Sequence, residues 1–82
     1  MKTVHKAYHE ALEGINIQEN EKIVLKSKNC YYCYGFAKYV LGANKEKLFK
    51  VILESGDKDW INYFLKHVNF DKKKYINYLL FI

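Results

Sequence analysis

Cys30 and Cys33 bracket two tyrosines in the C-x-x-C spacing shared by zinc sites and thiol–disulfide motifs. His5 and His9 lie four residues apart, so on a helix they share one face. Together the four side chains make a two-Cys, two-His donor set of the kind that holds zinc tetrahedrally. A thioredoxin-like redox motif wants a strand before its first cysteine, and none is readable here. Free cysteine is also a small apolar side chain that is more often buried than reactive. The leading expectation is therefore two packed thiols, with no metal and no cofactor. A metal set of His5, His9, Cys30 and Cys33 is the weaker alternative.

No catalytic constellation accompanies these residues. The chain has no G-x-S-x-G, no phosphate loop and no H-E-x-x-H. His67 stands one repeat after Tyr39, which reads as a ring position on a helix and not as a general base. Glu10, Glu13, Glu19 and Glu21 read as a solvated acidic surface. The expectation is a binding protein without enzymatic activity.

Two residue types suggest what it binds with. Eight tyrosines fall in 82 residues, and Tyr31, Tyr34, Tyr39 and Tyr63 lie beside or off the expected core stripe. Tyrosine of that kind is enriched in protein interfaces. Lys22 with Lys50 and Lys38 with Lys66 are 28 residues apart, and Lys72, Lys73 and Lys74 extend the positive end. Such a Lys ladder could follow a phosphate backbone or an acidic protein groove. The net charge is +5, carried by 14 Lys with no Arg. Arg is the usual bidentate reader of bases and phosphates, so sequence-specific nucleic-acid readout is disfavoured. Exposed tyrosine and lysine together leave protein contact first and nucleic acid second. An AT-rich coding sequence would inflate Lys, Asn, Ile and Tyr together without any such role.

A 28-residue internal repeat positions these residues. Leu25, Ser27, Phe36, Lys38 and Val40 are identical to Leu53, Ser55, Phe64, Lys66 and Val68. Gly14, Asn16 and Lys22 are identical to Gly42, Asn44 and Lys50. A period of this size marks stacked supersecondary units. Tyr32, Cys33, Phe36, Ala37 and Val40 recur at helical spacing, and Trp60, Ile61, Phe64, Leu65 and Val68 repeat the stripe. Asn16, Asn29, Asn44, Asp57 and Asp71 stand where helix N-caps belong, and Gly14, Gly42 and Gly56 where helices end. The pattern predicts helices near 3–13, 17–27, 30–41, 45–55, 58–68 and 72–81. That is an all-α fold, a short α-solenoid of three helix–turn–helix repeats in one domain, with repeats about 1–28, 29–56 and 57–82.

Gly42-Ala43-Asn44, the run Phe36-Ala37-Lys38-x-Val40, and Ser55-Gly56-Asp57 carry a resemblance. The chain resembles the short tandem helical repeats of uncharacterised bacterial, phage and large-virus proteins. The resemblance implies the fold and says almost nothing about function. The first unit departs from it, with His5 and His9 in core-like slots and Asn20 where Leu48 sits, as in an atypical polar end repeat.

The last expected helix ends in Tyr78-Leu79-Leu80-Phe81-Ile82. With Tyr75, Tyr78, Leu79 and Ile82 facing the preceding helices, Leu80 and Phe81 are left over for another chain, including a second copy. The expected partner-binding residues are thus Tyr31, Tyr34, Lys38, Tyr39, Tyr63, Lys66, Leu80 and Phe81. No stretch approaches the roughly 20 apolar residues of a membrane span, and no signal core opens the chain, so a cytoplasmic protein is expected. Size, charge and class fit a small inhibitor that occludes a larger host protein, anti-CRISPR or anti-defence-like by analogy of class alone.

Overall fold

Four of the five described α-helices begin where a short polar side chain accepts from the free first-turn amides. The computed structural model describes residues 2–75. Thr3 opens α1 (Val4–Leu12), its Oγ1 accepting from the Lys6 amide at 3.1 Å. Asn29 opens α3 (Cys30–Tyr39), its Oδ1 accepting from the amides of Tyr31 and Tyr32. Asn44 opens α4 (Lys45–Ser55) by accepting from the Lys47 amide, and Asp57 opens α5 (Lys58–His67) by accepting from those of Asp59 and Trp60. Among the described residues there are five α-helices and no strand, with bounds within two residues of the expected ones.

One expected cap needs correction. Asn16 precedes α2 (Ile17–Ser27) but its side chain does not cap the helix. It adopts the left-handed conformation, with φ +46°, because α1 and α2 are joined by a four-residue reversal that already uses Gly14 at φ +82°. Asn is one of the few residues that tolerates that region. Only the start of the sixth expected helix, 72–81, falls within the described residues. There Lys73–Tyr75 makes one short 3₁₀ turn, with Asp71 Oδ1 accepting from the Lys73 amide, and the rest lies outside them.

The helices form two layers. α1, α3 and α5 lie side by side, and α2 and α4 pack behind them, α1 most extensively on α2 and α3 on α4. The body measures 39 × 20 × 15 Å. Phe36, Phe49, Phe64, Leu48, Ile52, Leu65 and Val24 are wholly buried between the layers. No helix among the described residues is long and apolar enough to cross a membrane.

The α2–α3 and α4–α5 junctions share one hydrogen-bond pattern. Ser27 Oγ donates to the Val24 carbonyl at 2.6 Å and accepts from the Asn29 amide at 3.2 Å. Ser55 Oγ donates to the Ile52 carbonyl at 2.5 Å and accepts from the Asp57 amide at 3.2 Å.

The first helix pair is built differently. Asn20 is wholly buried. Its Nδ2 donates to the Ile15 carbonyl at 2.9 Å, and its Oδ1 accepts from Lys2 Nζ at 2.9 Å. Lys2 also pairs with Glu10 at 2.6 Å. Asn20, in the slot that Leu48 fills in α4, is thus inside like Leu48, with its hydrogen bonds made. His5 and His9 stand in slots that are apolar in the later helices but are exposed on this end helix, because the smaller Ala7 and Ala11 fill the α1 side of the core.

Candidate functional site

On α3, Tyr31, Tyr34 and Lys38 recur at positions i, i+3 and i+7, which puts them on one stripe. On α5, Trp60, Tyr63 and His67 do the same. The two stripes meet because the helices are neighbours in one layer, and their rings touch. Trp60 lies 6.4 Å from Tyr31 and 6.0 Å from Tyr63, centroid to centroid, with the rings nearly perpendicular in both pairs. Tyr34 lies below them, 4.9 Å from Tyr63 and 5.8 Å from Trp60. Tyr31, Tyr34, Asp59, Trp60 and Tyr63 line an open hollow of about 400 Å³.

The ring contacts continue onto α1. Tyr31 touches Tyr32, which meets Tyr8 at 5.6 Å and His5 at 6.0 Å, and His5 meets His9 at 4.3 Å. At the other end, Tyr63 meets His67 at 4.4 Å. One aromatic belt therefore crosses all three helices of the front layer. Burial raises the Tyr8 hydroxyl above its ordinary pKa, and the neighbouring Tyr31, Tyr39 and Tyr32 add to the effect.

Of the expected contact residues, Tyr31, Tyr34, Lys38, Tyr39 and Tyr63 come together here. Tyr31 and Tyr39 are well exposed and Tyr63 is 47% exposed, but Tyr34 is only 8% exposed. Tyr34 is thus the floor of the hollow and not an outward ring, because Trp60, Tyr63 and Phe64 close over it. Its hydroxyl accepts from Lys38 Nζ at 3.1 Å, and that bond raises the Lys38 pKa. The same ammonium sits 5.7 Å from the Tyr34 ring centroid and 5.6 Å from that of Tyr39. Lys66 is exposed on α5. Leu80 and Phe81, with the homodimer contact expected of them, lie outside the described residues.

The Lys ladder divides. Lys38 and Lys66 are on the front layer, Lys22 and Lys50 on α2 and α4 behind it. Lys74 pairs with Glu46, and Lys72 Nζ lies 5.9 Å from the Phe70 ring centroid. The acidic residues divide too. Glu13 and Glu19 are exposed, but Glu10 is half-buried on Lys2, and Glu21 accepts from the Asn44 amide at 2.6 Å. Glu10 and Glu21 were expected as solvated surface, but Glu10 is held by the Lys2 ammonium and the Asn20 amide, and Glu21 satisfies the backbone amide of Asn44 in the α3–α4 turn.

Cys33 is wholly buried, its Sγ donating to the Val24 carbonyl at 3.8 Å, and burial pushes its thiol up to about 12. Such a thiol stays protonated at neutral pH and is a poor nucleophile. Cys30 is half-buried. His5 Nδ1 is hydrogen-bonded to the Tyr32 hydroxyl at 2.9 Å. Among the described residues, no three His, Cys, Asp or Glu side chains come together to hold a metal ion.

Sequence reasoning missed Trp60 and Asp59 as site residues. Trp60 was assigned to the core stripe through its repeat partner Tyr32, yet it is only half-buried. The signal was the shared i, i+3 spacing of Tyr31–Tyr34 and Trp60–Tyr63, which places two ring pairs on facing helices. No family model, curated protein or solved structure matches this chain.

Proposed function

We propose that this chain is a three-repeat α-solenoid that binds a protein partner through the front layer of α1, α3 and α5. The matching Ser27 and Ser55 junctions and the paired Gly14 and Gly42 turns support the repeat architecture. The observation that carries the function is the hollow walled by Tyr31, Trp60 and Tyr63. Large amphipathic rings around a concavity supply contact area at small conformational cost, which is the composition of interface hot spots. A small inhibitor that occludes a larger protein is one use of such a face.

The alternative occupant is single-stranded nucleic acid, stacked on the same rings with Lys38 and Lys66 alongside. The division of the ladder favours protein, since Lys22 and Lys50 stand on the other layer and cannot follow the same strand. A Tyr31→Ser, Tyr63→Ser double variant that folds and loses a salt-tolerant protein partner supports the proposal. Unchanged partner capture by that variant overturns it. Binding of a labelled oligonucleotide that weakens steeply with salt favours the alternative.

A further inference from the structure

Resting on the binding face just proposed, we infer that the α3–α5 hollow takes an alkylated ammonium group, a methylated or quaternary amine carried by the bound partner. The lining has four aromatic rings and one formal charge, the carboxylate of Asp59. Aromatic faces are electron-rich and attract cations, most strongly those with a diffuse charge and no tightly held water. The Tyr31–Trp60 and Trp60–Tyr63 pairs meet at 84° and 85°, so the walls turn corners around a space and do not stack flat. Tyr34 closes the bottom. The protein's own Lys38 ammonium rests over the rings of Tyr34 and Tyr39 at the edge of the hollow, so these rings receive a cation within the fold, and its charge is a local repulsion that the other rings and Asp59 have to outweigh.

Donor counting selects the class of cation. A bare lysine ammonium brings three N–H donors and a guanidinium five, and each needs an acceptor once out of water. The hollow offers the Asp59 carboxylate and a few tyrosine hydroxyls, and Lys38 already uses that of Tyr34. An alkylated ammonium keeps the charge and sheds the donors, so rings and one carboxylate satisfy it. The net charge of +5 opposes any cation at long range. That repulsion is screened over about 8 Å at physiological ionic strength, whereas the rings and Asp59 act at contact. The volume of about 400 Å³ leaves room beyond the headgroup for the segment that carries it.

Trp60 is the sole tryptophan, so its emission reports on the hollow directly. The experiment titrates the full chain with choline chloride, and separately with its neutral isostere 3,3-dimethyl-1-butanol, at constant ionic strength. A saturable change with choline, and a response to the alcohol at least about fivefold weaker, supports the assignment. Tyr63→Leu and Asp59→Asn should each weaken choline about two- to fivefold while circular dichroism shows the fold intact. Equal responses to choline and alcohol, or no saturable response to choline, overturn it. If choline fails but the Tyr31→Ser, Tyr63→Ser variant still loses its protein partner, the cation assignment falls and the binding face stands.

Discussion

Asn20 and Leu48 occupy the fourth position of α2 and of α4, 28 residues apart, and both are wholly buried. α4 fills this place with an apolar side chain and α2 with a polar one. The polar choice is viable because every side-chain group of Asn20 finds a partner among Lys2, Glu10 and Ile15. A buried amide left unpaired would oppose folding.

Asn20→Ala should therefore destabilise the chain by about 1–3 kcal/mol, since it leaves the Ile15 carbonyl unpaired and opens a gap. Asn20→Leu fills the gap and should recover part of that loss. Urea unfolding of parent and both variants checks the order. An alanine variant as stable as the parent would show that the network contributes nothing.

The same network predicts a pH dependence. The hydrogen bond from Lys2, helped by Asn20, holds the Glu10 carboxyl below the ordinary glutamate range against an opposing desolvation. Glu46 is held low in the same way by Lys74. A depressed pKa in the folded state stabilises at pH above the unfolded value, and that stability is lost as pH falls through the folded value. The urea midpoint should thus be flat near neutrality and decline below the ordinary glutamate range. Glu10→Gln should be less stable at neutral pH and should lose part of the acid slope. A parallel slope in the variant would remove Glu10 from the account.

Phe64 sits wholly buried between Phe49 at 5.1 Å and Phe70 at 5.3 Å. Phe64→Ala should lose about 3–5 kcal/mol, a large share of what so small a domain has. The melting temperature should fall steeply or the transition vanish.

Lys28 ends α2 with φ +54°, in the place that Gly56 takes at the end of α4 with φ +73°. A side chain in that conformation costs about 1–2 kcal/mol, offset by the extra unfolded-state freedom of glycine. Lys28→Gly should raise stability by up to about 1 kcal/mol, and Gly56→Ala should lower it by about 1 kcal/mol or more. Thermal unfolding of the two variants, read as opposite shifts, is the measurement.

The helices were legible because caps and periodicity agreed residue by residue: Asn29, Asn44 and Asp57 each precede an apolar stripe that repeats. Asn16 misled because an N-cap and a left-handed turn use the same residue type. Phe49 escaped notice because its burial depends on Phe64, Phe70 and Tyr75, which only the crossing of α4 with α5 and the following turn brings together. Tyr34 and Trp60 were misplaced for one reason. The repeat assigns each helix an inner stripe but does not say how far a large ring on its border is covered by the next helix. The hollow arises at that border, so its parts were visible in sequence and its shape was not.

The distribution of turns and packing bears on how the chain comes apart. α1 with α2, and α3 with α4, share broad contacts but are joined by turns with Gly14 and Gly42 in open space. α2 with α3, and α4 with α5, share narrower contacts but are joined by the hydrogen-bonded serine junctions. Glu21 further ties α2 to the Asn44 amide, and Lys45 Nζ ties α4 to the Asn69 carbonyl at 2.7 Å. Where one means of attachment is thin the other is strong, so the row of helices has no natural seam. Repeat arrays can lose their ends one unit at a time. This chain should instead unfold as a single cooperative block, with the slowest amide protons of α2 and α4 released together.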